Sequence, residues 1–181
     1  MYQSEWTQKP VLHLFPHWNW KPGQTVDVWA YFSQADEVEL FLNGKSVGIS
    51  TKTDSTLHAL WRLKFVPGQL KAVSRKNGKP VLESSIQTAG EAFRIVLRSE
   101  QSELNSAENE LGFVEITVVD AMGTPVQTTE NLISLSVQGV GKLEATDNGN
   151  PVGLTSFNAA SKQLFNGKLL AMIKTTGGKG Q

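Results

Sequence analysis

Eight residues near the start of the chain form its densest group of side chains that could do chemistry. The stretch HLFPHWNW, residues 13–20, holds two histidines, two tryptophans, a phenylalanine and an asparagine. Sugar sites combine flat apolar ring faces with polar side-chain tips, so this composition suits a carbohydrate. Trp18 or Trp20 would stack on a sugar ring, and His17 and Asn19 would hydrogen-bond its hydroxyl groups. These four residues are the candidate carbohydrate-binding residues.

The same rings have a second interpretation, as anchors that pack a leading segment on the first folded domain. Aromatic side chains bury a large area, and a buried indole N–H finds a main-chain acceptor. Aromatic clusters belong to packing more often than to binding sites, so we favour packing and keep the carbohydrate site as the alternative. Trp29 and Trp61 lie within expected strands, where we expect them in a core or on a sheet face.

Other kinds of chemistry find little support. His13 and His17 are four residues apart, but Pro16 between them disfavours a helix, and two ligands do not complete a zinc site. Residues 146–153, TDNGNPVG, are typical of a turn, with a calcium or ligand contact as the alternative. The sequence singles out no carboxylate pair for glycoside hydrolysis, and it has neither a G-x-S-x-G motif nor a Gly-rich phosphate loop. We therefore predict no catalytic residue, no metal and no cofactor.

Composition narrows the class of protein further. The 181 residues contain 17 Lys+Arg and 17 Asp+Glu, and this balance gives no support for a nucleic-acid partner. The first residues, MYQSEW, lack the features of a signal peptide, and the sequence has no apolar run of about 18 residues, so we expect no membrane span. The chain has no cysteine, which excludes disulfides and thiolate metal sites.

The elements that must position these residues are β-strands. Residues 37–42, EVELFL, alternate between polar and apolar side chains, which predicts a strand with Val38, Leu40 and Leu42 facing a core. The pairs Asn43-Gly44 and Asn77-Gly78 each predict a type I′ hairpin turn. Turn signals recur about every ten residues, so the fold class is all-β, with two tandem immunoglobulin-like antiparallel β-sandwiches.

The boundary between the two sandwiches is expected at residues 89–91, so that residues 13–89 form the first and residues 90–181 the second. We expect the last strand of the second sandwich to run over residues 164–173. The sequence leaves open whether a further closing strand is missing there, which would leave an exposed sheet edge. Every Trp, Tyr and His lies before residue 62, so an aromatic-lined site must belong to the first sandwich or its lead.

Three stretches resemble a known family. Residues 2–20, YQSEWTQKPVLHLFPHWNW, residues 26–48, VDVWAYFSQADEVELFLNGKSVG, and residues 68–79, GQLKAVSRKNGK, are similar to the C-terminal region of bacterial glycoside hydrolase family 2 enzymes, the β-galactosidase group. The second half, with FVEITVVDAMGTPV and GVGKLEATDNGNP, resembles the domain that follows in that group. The resemblance spans nearly the whole chain and is more specific in the first half.

The resemblance implies a non-catalytic accessory region. In this family an immunoglobulin-like domain of unknown function follows a catalytic (β/α)8 barrel, and a further sandwich comes next, so residues 1–12 would be a barrel remnant and linker. The catalytic glutamates belong to the barrel, which alone needs about 250 residues, and no residue here matches their motifs. The chain alone is therefore expected to be inert and to support the barrel, its implied partner.

The resemblance also implies that the longer bacterial protein hydrolyses a β-galactoside or a related glycoside and is periplasmic or secreted. Two other functions stay open for the chain, a carbohydrate-binding module and a surface adhesion or spacer sandwich. Without the barrel, we expect some of Trp6, Phe15, Trp18 and Trp20 to be exposed, or to be buried against a second copy of the chain.

Overall fold

The structure is a computed structural model and describes residues 1–53, 56–105 and 109–177. The described part contains one five-residue helix, and every other regular element is a β-strand. The predicted all-β fold class is therefore confirmed. No helix in the described part is long and apolar enough to cross a lipid bilayer. The chain divides into two compact units, Met1–Thr88 and Ala89–Gln181.

The first unit is a sandwich of a three-stranded and a four-stranded antiparallel sheet, with strand orders β1-β2-β5 and β4-β3-β6-β7. This is the immunoglobulin arrangement in which strands A, B and E face strands C′, C, F and G. Strand β1 begins two residues before the expected domain start at residue 13. The elements are α1 (Tyr2–Trp6), β1 (Val11–Phe15), β2 (Thr25–Ser33), β3 (Glu37–Leu42), β4 (Lys45–Ser50), β5 (Ala59–Lys64), β6 (Gln69–Lys76) and β7 (Lys79–Gln87).

The alternation in the sequence becomes the inner and outer faces of these sheets. Val38 and Leu40 of β3 are fully buried, as predicted, and Leu42 is partly buried against the same core, because side chains along a strand alternate between its two faces. The predicted Asn43-Gly44 hairpin joins β3 to β4, and both residues have positive φ, 50° and 78°. Asn and Gly tolerate this backbone conformation, which the type I′ turn requires at both central positions.

The second unit has one four-stranded sheet and one two-stranded sheet. The larger sheet has the order β11-β13-β9-β8, which is the D-E-B-A order of an immunoglobulin domain, and the smaller sheet pairs β10 with β12. The strands are β8 (Arg94–Ser99), β9 (Leu111–Val119), β10 (Leu132–Ser134), β11 (Gly141–Asp147), β12 (Ser161–Gln163) and β13 (Lys168–Thr175).

The prediction of one strand over residues 164–173 was wrong in its bounds. Asn166 and Gly167 have φ values of 50° and 71°, so the chain turns there and β13 begins only at Lys168. The residues before this turn supply β12, which the sequence did not predict. Two three-residue strands thus form the second sheet within the described residues.

Candidate functional site

Trp18 follows β1 and is a core residue of the first unit. Its side chain is 1% exposed, and its indole N–H donates a 2.9 Å hydrogen bond to the main-chain oxygen of Val66. Its ring meets the ring of Phe65 edge-on, with the centroids 5.2 Å apart. The hydroxyl of Thr88 donates a 2.8 Å hydrogen bond to the main-chain oxygen of Trp18. These contacts fasten the segment after β1 to the end of the sandwich.

His17 and Trp20 form a stacked pair beside it. Their ring centroids are 4.6 Å apart, and the planes are inclined by 11°. The indole N–H of Trp20 donates to the main-chain oxygen of His17 at 2.8 Å, and the main-chain N–H of Asn19 donates to Nδ1 of His17 at 3.1 Å. Burial lowers the pKa of His17. The ring is therefore neutral at pH 7, with the accepting nitrogen at Nδ1 and the proton on Nε2.

The four candidate carbohydrate-binding residues are thus adjacent but differ in access. Trp18 is closed off inside the core, and one face of the half-buried Trp20 is covered by His17. The partly buried His17 and Asn19 border the same stack. Carbohydrate binding at this stretch stays a prediction, and in this geometry the access lies at His17, Asn19 and Trp20.

A larger group of rings lies on the outer face of the β1-β2-β5 sheet. Phe15, Trp29 and Leu60 stand opposite one another in one row across the three strands, and Phe15 and Leu60 are exposed. Trp29 stacks on His58 with centroids 4.7 Å apart, and Tyr31 meets His58 edge-on at 5.7 Å. We call these five residues the sheet cluster.

The sequence carries a signal for this cluster in the alternation of β2, outside the aromatic stretch at residues 13–20. In β2 the side chains of Val28 and Ala30 are fully buried, so alternation along the strand directs Trp29 and Tyr31 to the opposite face. Trp61, by contrast, is buried and donates its indole N–H to the main-chain oxygen of Gly48 at 3.1 Å. Of the two strand tryptophans, one is thus in the core and one on the outer face.

A second exposed pair of rings lies on α1. The ring centroids of Tyr2 and Trp6 are 5.0 Å apart, and Trp6 is 79% exposed. The helix is held to the unit by the buried Ser4 and by an ion pair of 2.6 Å between Glu5 and Lys52. We call Tyr2 and Trp6 the helix cluster.

The four aromatic side chains that were expected to be exposed differ in their burial. Trp6 and Phe15 are exposed, which confirms the expectation that some of these rings are uncovered. Trp18 does not belong with them, because its partners, Phe65 and Val66, lie in the same unit. The half-buried Trp20 lies between these extremes.

The turn predicted at residues 146–153 is present and follows the end of β11 at Asp147, and side-chain oxygens of this stretch accept hydrogen bonds from its own main chain. The Oδ1 atoms of Asp147, Asn148 and Asn150 each accept a 3.1 Å hydrogen bond from the main-chain N–H two residues further on. Such local bonds are why Asp and Asn favour turns. In the described ranges, no group of three or more His, Cys, Asp or Glu residues could hold a metal ion.

Each of the two units matches a known family model. Residues 95–181 match the model of glycoside hydrolase family 2 C-terminal domain 5, and residues 23–82 match a domain of unknown function, DUF4982. The chain belongs to the C-terminal region of glycoside hydrolase family 2. The family expected from the sequence is thereby confirmed.

Curated family 2 relatives align along the chain but are much longer. Beta-galactosidase BoGH2A of Bacteroides ovatus is 47% identical over 181 residues, which are 100% of this chain and 21% of that protein. A putative beta-glucuronidase of Formosa agariphila is 32% identical over 179 residues, 96% of this chain and 17% of that protein. The chain therefore spans about a fifth of the length of these relatives.

Solved family 2 structures share the fold over nearly the whole chain. A family 2 member from Bacteroides cellulosilyticus has a TM-score of 0.90 and 30% identity, covering 98% of this chain and 27% of that one. A beta-glycosidase from Bacteroides vulgatus has a TM-score of 0.90 and 32% identity, covering 99% of this chain and 23% of that one. Both resemble this chain over a quarter or so of their own length.

Proposed function

We propose that the chain is a non-catalytic accessory region of a longer β-galactosidase-like family 2 enzyme and that its first unit packs on the catalytic barrel. The observation that carries this proposal is the exposed apolar side chains of the two clusters, which are Tyr2, Trp6, Phe15 and Leu60. The first unit has its own complete core around Trp18 and Trp61, so its folding does not require these outer rings. Neighbouring apolar side chains that are exposed together mark contact surfaces.

The surroundings of the sheet cluster support a protein contact. Asp27 lies two residues before Trp29 on the same face of β2 and forms a bidentate ion pair with Arg62 on β5. The distances are 2.7 Å from Nε to Oδ1 and 2.9 Å from Nη2 to Oδ2. The hydrogen bond from Arg62 lowers the pKa of Asp27 and keeps its carboxylate charged. An apolar centre beside a charged rim is the usual anatomy of a protein interface.

The carboxyl groups support the non-catalytic part of the proposal. Glycoside hydrolysis needs a general acid whose pKa is raised, beside a second carboxylate. Hydrogen bonds from Lys168 and Lys142 instead lower the pKa values of Glu115 and Glu144. These carboxylates are surface ion-pair partners and do not suit the role of a proton donor.

The test uses the longer natural protein with Trp6→Ala as the variant and Leu154→Ala as the matched control. Both side chains are exposed in this chain, but Leu154 lies outside the two clusters. Removing Trp6 should lower the thermal midpoint and the turnover of a chromogenic β-galactoside, because it removes a contact with the barrel. The control should change neither quantity.

Equal behaviour of the two variants would refute the docking proposal. The 181-residue chain alone should release no chromophore from the same galactoside above a buffer blank. Release that persists after repeated purification would contradict the non-catalytic role.

A carbohydrate-binding function is the second candidate, and the observation that favours it is the half-buried Trp20 beside polar groups of His17 and Asn19. Calorimetric titration of the 181-residue chain with a panel of galactosides and polysaccharides tests it. Binding that is lost in Trp20→Ala, while the far-UV circular dichroism is kept, would support this candidate. Flat traces for the whole panel would exclude it for these glycans.

A further inference from the structure

The chain contains four Asn-Gly pairs, at residues 43–44, 77–78, 148–149 and 166–167. An asparagine before glycine is prone to deamidation, because glycine has no side chain to keep its main-chain nitrogen away from the amide carbon of the asparagine. Deamidation changes the charge and can change the length of the main chain, so its position matters to the fold. The contacts of the four pairs determine which of them can react.

Two of the pairs form hairpin turns with nearly the same backbone. Asn43-Gly44 joins β3 to β4 with φ values of 50° and 78°, and Asn77-Gly78 joins β6 to β7 with φ values of 51° and 72°. Both turns are exposed and have two central residues, as in the type I′ hairpin. Because their φ values match, a difference in reactivity between these two pairs must come from their side-chain contacts.

The side chain of Asn43 is held at both of its polar atoms. Its Oδ1 accepts a 2.8 Å hydrogen bond from the main-chain N–H of Gln69, and its Nδ2 donates a 3.1 Å hydrogen bond to the main-chain oxygen of Pro67. For reaction, the side chain must turn so that Cγ faces the nitrogen of Gly44, which would break both hydrogen bonds. The folded structure therefore protects this pair.

The pairs in the second unit are protected at the attacking nitrogen. The main-chain N–H of Gly167 is buried and donates a 3.2 Å hydrogen bond to the main-chain oxygen of Thr129. The main-chain N–H of Gly149 donates a 3.1 Å hydrogen bond to Oδ1 of Asp147. The nitrogen must lose its proton to attack, and a hydrogen bond that holds this proton opposes the reaction.

Asn77 is exposed and lacks these restraints within the described residues. Its side-chain amide makes no hydrogen bond there, and neither does the main-chain N–H of Gly78. The main-chain N–H of Asn77 donates a 2.7 Å hydrogen bond to Oδ2 of Asp36, which holds the turn but leaves the side chain free to rotate. We propose that Asn77 is the deamidation site among the four Asn-Gly pairs and that hydrogen bonds protect the other three.

The proposed step is a cyclisation followed by hydrolysis. The main-chain nitrogen of Gly78 attacks Cγ of Asn77, so that a bond forms between these atoms and the bond from Cγ to Nδ2 breaks. The proton lost by the Gly78 nitrogen leaves with Nδ2, which departs as ammonia. Water then opens the cyclic imide at either carbonyl carbon and gives aspartate or isoaspartate. Nothing is oxidised or reduced, and water is the co-reactant.

Both products disturb the turn between β6 and β7. A carboxylate at residue 77 lies beside the carboxylate of Asp36, and like charges repel. Isoaspartate also adds a methylene group to the main chain, which no longer fits a two-residue turn between the paired residues Lys76 and Lys79. Deamidation of Asn77 therefore loosens the β6-β7 hairpin of the first unit.

The test incubates the 181-residue chain in mildly alkaline buffer and follows amide loss by peptide mapping with mass spectrometry. Asn77 should lose its amide at least about tenfold faster than Asn43, because breaking two hydrogen bonds raises the barrier at Asn43. In concentrated urea the four pairs should react at similar rates, since the folded contacts are lost. Equal rates at Asn43 and Asn77 in the folded chain would overturn the proposal, as would the same preference for Asn77 in urea.

Gly68→Ala provides a second test that releases the protected hairpin. A Cβ at residue 68 would overlap the side-chain amide of Asn43, so this substitution should expel the side chain and raise the rate of amide loss at Asn43. Gly23→Ala is the matched control, because φ is also positive there but a Cβ would point into open space. An unchanged rate at Asn43 in Gly68→Ala with native far-UV circular dichroism would contradict the protective role of the hydrogen bonds. The comparison of Asn43 with Asn77 in the unsubstituted chain does not depend on this variant.

Discussion

Trp18→Ala should destabilise the first unit strongly, although Trp18 belongs to the stretch that looked most like a ligand site. The substitution removes a side chain that is 1% exposed, its edge-on contact with Phe65 and its hydrogen bond to Val66. The main-chain oxygen of Val66 would then be left without this donor.

The expected magnitude follows from this burial. Truncating a buried tryptophan to alanine costs about 3–5 kcal/mol, which includes the cavity that remains. Domains of this size lose roughly 4–8 °C in Tm for each kcal/mol, so the unfolding midpoint of the first unit should fall by roughly 12 °C or more. Trp6→Ala is the matched control, because Trp6 is 79% exposed and its removal should change the stability by less than about 0.5 kcal/mol.

Tryptophan fluorescence is the assay, because all five tryptophans lie in the first unit and the signal reports on that unit alone. Each variant keeps four of them. Urea unfolding of the 181-residue chain, in which Trp6 has no barrel to contact, should give a much lower fluorescence midpoint for Trp18→Ala and an unchanged midpoint for Trp6→Ala. If both midpoints move by the same small amount, Trp18 is not a core anchor and the reasoning from its burial fails.

Three further predictions concern the second unit and are checked by circular dichroism or hydrogen exchange. Main-chain N–H groups, that of Gly90 first, lower the pKa of Asp120, so its stabilisation is complete above about pH 4 and is lost as the pH falls through the lowered folded value. Asp120→Asn should flatten this acid dependence, and an unchanged profile would contradict the assignment. Lys162 is buried and donates a hydrogen bond to the main-chain oxygen of Thr146 at 2.8 Å, so Lys162→Met should lower the free energy of unfolding by about 1–3 kcal/mol. An unchanged free energy of unfolding would contradict a stabilising role of this hydrogen bond. Gly167→Ala should lower the free energy of unfolding by more than the roughly 1–2 kcal/mol of its left-handed backbone conformation alone, because φ is 71° there and an added Cβ would also collide with the main-chain oxygen of Val126. An unchanged free energy of unfolding would contradict this.

The sequence predicted the strands whose signals are local. In β3 the two-residue alternation and the following Asn43-Gly44 turn are read within about ten residues, and both are present in the structure. Strand β12 was missed because three residues carry no periodicity, and its pairing with β10 joins segments about 30 residues apart in the chain. Such pairing depends on tertiary packing, which a local pattern does not contain.

The tryptophans of the first unit also show that a local sequence pattern does not contain tertiary packing. Trp29 lies within an alternating strand, so the burial of its neighbours fixes the direction of its side chain. Trp18 follows β1 in a segment without regular structure, where no period indicates which side chains face inward. Its burial depends on Phe65 and Val66, more than 40 residues later in the chain. The composition of residues 13–20 therefore suited both a packing anchor and a carbohydrate-binding site, and it did not distinguish between them.

The two units leave apolar surface exposed for different physical reasons. In the first unit both sheets are complete and enclose a cluster of buried residues, so its exposed rings are additional to a finished core. In the second unit Ile95 and Leu97 stand beside core residues of β9 on the core face itself, and their exposure lowers the stability of that unit directly. Covering the rings of the first unit mainly adds a binding free energy between domains. A layer that covered β8 would instead add to the free energy of folding of the second unit, because the exposed side chains of Ile95 and Leu97 lie on the face that carries its core.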